Sequence, residues 1–98
     1  MSNEPREQQI QISDSIPGSG EYSNWAHIQH NKEEFRMTLA NVMPPSGKVT
    51  AKILTTPSYF KSIVLAMQEN LKMYEKTFGA IEQSKPVEGE IGFKETNG

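Results

Sequence analysis

Apolar residues recur at alternating steps of four and three from Phe60 to Phe78: Phe60, Val64, Met67, Leu71, Tyr74 and Phe78, with Ile63 beside them. That spacing holds them on one side of an α-helix. Thr56 is placed to accept from the first free backbone N–H groups, and Pro57 suits the first helical position, where its missing N–H costs nothing. Gly79 follows the last apolar residue and can close the helix, while Lys76 complements the dipole in the last turn. The pattern predicts a helix over Pro57–Phe78.

Upstream the period changes to two. Tyr22–His30 alternates weakly, with Ala26 and Ile28 opposite Trp25 and His27. Phe35–Met43 alternates clearly, with Phe35, Met37 and Leu39 opposite Arg36 and Thr38. A tight turn centred on Asn31-Lys32 would set Ile28 against Phe35, Ala26 against Met37, His27 against Arg36 and Trp25 against Thr38. The apolar sets then share one face, and a one-residue slip would destroy that agreement. Pro44-Pro45 ends the second strand, since two prolines cannot continue a ladder. Val49–Leu54 is the third strand. Pairing Val49 with Met43 brings Ile53 beside Leu39 and puts Val49, Ala51 and Ile53 on the common apolar face. Nine-residue strands span about 30 Å, and the helix about 33 Å. One helix would therefore cover one face of the sheet and leave the other bare. The expected fold is α+β, a three-stranded antiparallel meander packed by one long C-terminal helix, with disordered tails and a homodimeric assembly.

The ends read differently. Residues 1–20 are rich in Glu, Gln, Ser, Pro and Gly and form a flexible tail, although Ile10 and Ile12 make residues 8–13 a candidate edge strand. Residues 21–82 form the single domain, and residues 83–98 a disordered tail in which Ile91 and Phe93 alternate faintly. At 98 residues and 35% hydrophobic content, the chain has a small core that calls for reinforcement. There is no cysteine to supply it, so oligomerisation is the remaining route. A formal net charge of −2 gives no global pull toward nucleic acid or anionic lipid. Without a membrane-length apolar run or a signal peptide, the reading is a cytoplasmic protein that does not engage membranes.

The stretch from Tyr22 to about Ile81 resembles an uncharacterised family of short bacterial and archaeal proteins, catalogued as domain of unknown function three-four-six-seven. The resemblance is carried by YSNW followed by a histidine, EEFRMTLANVMPPSG, the TP before the helix, and QENLKMYEKTFG at its end. It implies a compact cytoplasmic module with no catalytic residues to assign.

The residues themselves supply little chemistry. His27 and His30, three apart in a strand, point to opposite faces and do not share an ion. Glu33 and Glu34 likewise diverge. Glu69, Lys72, Glu75 and Lys76 read as a solvated charge pattern on the polar side of the helix. Ser46-Gly47-Lys48 lacks the rest of a phosphate loop. No catalytic, cofactor or metal site is assigned, and the chain is read as a non-enzyme. The candidate interaction surface is the outer sheet face, with Trp25, His27, Arg36, Thr38, Lys52 and Leu54, joined by Tyr59, Ala66 and Met73 on the helix flank. Three readings compete for it: self-association or capture of another protein, a single-stranded nucleic-acid platform using Trp25, Arg36 and Lys52, and an ordinary exposed face carrying one aromatic. The first is preferred. It makes the chain a protein-interaction or adaptor module acting as a homo-oligomer.

Overall fold

The computed structural model describes residues 8–85 and 89–93. The tail assignments over 1–7, 86–88 and 94–98 lie outside the described residues. Strands β1 (Trp25–His30), β2 (Phe35–Met43) and β3 (Ser46–Thr55) precede helix α1 (Pro57–Phe78). The strands form one antiparallel sheet in the order β1-β2-β3. Residues 8–13 belong to no strand, and Ile10 and Ile12 are exposed. The β-β-β-α order and the α+β class are those the periodicities predict.

Both hairpin registers differ from the expected ones, for local reasons. His30 pairs with Phe35, so the β1–β2 loop holds four residues rather than two. The Asn31 side-chain oxygen accepts from the backbone N–H groups of Glu33 (2.8 Å) and Glu34 (2.9 Å), and the Asn31 N–H donates to the Glu34 carbonyl (3.0 Å). An Asx turn of this kind is a stable alternative to a two-residue turn. It moves the partners by two: Ile28 faces Met37, Ala26 faces Leu39, His27 faces Thr38 and Trp25 faces Ala40. An even slip keeps every side chain on its face.

On the other side, Met43 pairs with Ser46 directly across Pro44-Pro45, whose peptide bond is cis. Strand β3 therefore begins earlier than the prolines suggest. Leu39 pairs with Ala51 but Ala40 with Val49, so Thr50 is the extra residue of a β-bulge. The bulge turns Val49 to the outer face, away from Ala51 and Ile53, which corrects the single-face assignment of the three. Ile53 lies opposite Met37 rather than Leu39.

Asn24 extends the sheet one residue beyond β1. Its N–H donates to the Ala40 carbonyl (3.0 Å). Its side-chain amide donates to the Val42 carbonyl (2.9 Å) and accepts from the Val42 N–H (2.8 Å), imitating the pairing of a further strand residue. Asn24→Ala is expected to cost about 1 kcal/mol, because both bonds return to water-exposed partners. Urea unfolding at fixed protein concentration measures it, with Asn24→Asp falling between the two.

The helix is capped as its sequence requires. The Thr56 hydroxyl accepts from the Tyr59 N–H (3.3 Å), and Pro57 occupies the first turn. Gly79 has φ 96°, a conformation that a residue without Cβ reaches freely, and its N–H donates to the Glu75 carbonyl (2.9 Å). The Glu75 carboxylate also accepts from the Ile81 N–H (2.8 Å).

The helix does not lie across the sheet. It meets the sheet at its own beginning, where Phe60 stacks on Phe35 with centroids 4.1 Å apart and rings 5° from parallel. Phe60, Ile63 and Val64 are half-buried there. Beyond them Met67, Leu71, Tyr74 and Phe78 are 60, 48, 48 and 73% exposed, and no helical residue is buried. The expectation that α1 blankets the apolar sheet face is corrected accordingly. Thr56 alone separates β3 from α1, and the helix leaves from the Phe35 end of the sheet.

Candidate interaction surfaces

The register sorts the sheet into two faces. On the outer face the rows are Gln29–Arg36–Leu54, His27–Thr38–Lys52 and Trp25–Ala40–Val49. All six sequence-predicted sheet residues therefore share this face, although Trp25, Thr38 and Leu54 occupy three rows rather than one. Trp25 and His27, two apart on β1, lie parallel with centroids 5.9 Å apart and 7° between planes. Phe93 packs against both, at 5.7 Å from Trp25 and 6.3 Å from His27. The faint Ile91/Phe93 alternation was the only sequence signal for this contact. Trp25 is half-buried, and Ala40 opposite it is 5% exposed. The Arg36 guanidinium lies 3.4 Å from the Glu34 carboxylate, an exposed pair of small energetic weight. Thr38 is half-buried, while Lys52 and Leu54 are exposed at the β3 side.

Tyr59, Ala66 and Met73 are all exposed along the helix flank, separate from the outer sheet face in sequence and element. The surface thus divides into a sheet group and a helix group.

The inner face was expected to be core and is largely open. Its rows are His30–Phe35–Thr55, Ile28–Met37–Ile53 and Ala26–Leu39–Ala51, continued by Asn41–Lys48 and Met43–Ser46. Met37, at 7% exposure, is its one buried side chain; Ile28 and Ile53 beside it are 51 and 40% exposed. The Asn41 side-chain oxygen is buried without a donor. Such an acceptor costs about 1–3 kcal/mol when nothing donates to it. Sequence reasoning counted this face as filled and so did not assign it a partner.

Among the depressions on the surface are two lined by described residues. One, near the β1–β2 loop, is lined by Gln29, His30, Asn31, Glu34 and Arg36; the other, along the helix, by Leu65, Gln68, Glu69 and Lys72. Both are open to solvent. Among the described residues no group of three or more His, Asp or Glu side chains could hold a metal ion. None of their helices is long and apolar enough to cross a membrane.

No curated protein and no solved structure matches the chain. The sequence model of a family described as "Protein of unknown function (DUF3467)" matches residues 1–83. The match takes in the sheet, the helix and the N-terminal segment, and so extends past the Tyr22–Ile81 stretch that carried the resemblance.

Proposed function

We propose, from the premise that the chain belongs to the DUF3467 family, that it is a non-catalytic protein-interaction module working as a homodimer in the cytoplasm. The observation that carries this reading is the unfinished core. Among the described residues only Met37 and Ala40 are buried apolar residues, and they lie on opposite faces of the sheet. A helix with a seven-residue apolar stripe is meanwhile half in water. Apolar surface on this scale is covered by a protein partner.

Sedimentation equilibrium at micromolar concentration tests the reading. A species of twice 11.0 kDa is expected; a lone 11.0 kDa species at every concentration would remove the proposal.

A nucleic-acid platform on the outer face is the weaker reading. A base needs a free aromatic face, and Trp25 is already flanked by His27 and Phe93. Arg36 is engaged by Glu34. The net charge of −2 adds no attraction to phosphate.

A further inference from the structure

The structure points to a reciprocal assembly: each protomer lays the Met67–Phe78 half of its helix across the inner sheet face of a second copy. This rests on the homodimer reading above and specifies which surfaces meet.

A single chain carries two unfinished halves of one packing unit. The helix has an apolar stripe with no sheet beneath it beyond Val64. The sheet has an apolar face with no helix above it beyond the Phe35 row. The dimensions correspond. Met67 to Phe78 spans about 16 Å, and Met37 to Met43 about 20 Å. Seven large side chains of the two surfaces (Ile28, Met43, Ile53, Met67, Leu71, Tyr74 and Phe78) are 40% or more exposed. At roughly 100 Å² each they supply about 700 Å² per copy, within the range of a standard stable interface.

Symmetry selects the occupant. If one helix seats on the partner's sheet, a two-fold axis seats the partner's helix on the first sheet, and the assembly closes. Pairing the two helices with each other would cover the stripes but leave both inner faces bare. Pairing the two sheets would do the reverse. Only the reciprocal arrangement covers both. The net charge of −2 is small enough that two copies do not repel strongly.

The absence of cysteine makes the test direct. Leu71→Cys in one protein and Ile53→Cys in another are mixed, allowed to exchange subunits, and treated with a short bismaleimide. Each chain then holds one thiol, so every adduct is intermolecular. The mixed helix-to-sheet adduct is expected to exceed either self-adduct several-fold. Tyr74→Cys with Ala51→Cys repeats the measurement in case the first pair folds poorly. A dominant Leu71→Cys self-adduct would mean that helices pair with each other. That overturns the reciprocal arrangement and leaves the homodimer standing, as would a dimer that yields no adduct. A mass of 11.0 kDa for the unsubstituted protein overturns both readings.

Discussion

Replacing Leu71 with Asp is expected to raise the dimer dissociation constant roughly a hundredfold, a loss of about 3 kcal/mol. In the lone chain Leu71 is 48% exposed and touches no core. If the chain worked alone, the change would cost little beyond helix propensity, about 0.5 kcal/mol. A large effect arises only if the side chain is buried against a second copy, where a carboxylate would lose its water without gaining a partner. Lys72→Asp is the matched control: it changes the adjacent helical position to the same residue on the exposed polar side. Sedimentation across a concentration series should show the first variant dissociating at concentrations where the control stays paired. Equal behaviour of the two would remove the stripe from the interface.

Much of this architecture was legible in the sequence. The period of two over Phe35–Met43, the four-three stripe over Phe60–Phe78, and the Thr56-Pro57 and Gly79 caps predict elements whose ends agree with those observed. The face assignment of β1 was also legible, even though its register was not. The Asn31 oxygen enlarges the loop by two residues, and an even shift is invisible to alternation. The Thr50 bulge was hidden for a different reason. Thr50 is an ordinary strand residue with no glycine to mark an irregularity, and only the pairing of Val49 with Ala40 reveals it. The Asn24 pairing with Val42 joins positions 18 apart through a side chain that sequence reading treats as a loop residue.

The larger miss concerns the helix. An amphipathic stripe states that one side wants cover; it does not state whose surface supplies it. The stripe and the inner face are each apolar, which made intramolecular packing the economical reading. The structure shows the two surfaces in contact only at the Phe35 end. On the proposed reading, the outer-face residues are only part of the surface open to a partner. Trp25 and His27 are partly covered by Phe93 of the same chain, whereas among the described residues nothing comparable covers Met67, Leu71, Tyr74 and Phe78. Tyr74 and Phe78 touch each other, with centroids 4.9 Å apart, which presents them as one apolar block.

That geometry makes the Phe35–Phe60 contact the joint between the two halves of the chain, and Phe60→Ala the second substitution with a large expected effect. The rings are 4.1 Å apart and 5° from parallel, and His30 extends the stack from the other strand at 5.2 Å. Both phenylalanines are half-buried. Truncating one should therefore cost less than the 3–5 kcal/mol of a fully buried ring, about 2–3 kcal/mol. For a domain of this size that lowers the melting temperature by about 10–20 °C at fixed protein concentration. Circular dichroism should show helical signal lost at lower temperature, because the first helical turns lose their anchor on the sheet. Phe60→Leu keeps apolar volume and removes the ring, so it should recover part of the loss. Combining Phe35→Ala with Phe60→Ala should be less damaging than the sum of the two by about 1 kcal/mol, the coupling of a stacked pair. Strict additivity would mean that each ring acts through other neighbours. The helix would then be held at its start by Ile63 and Val64 instead.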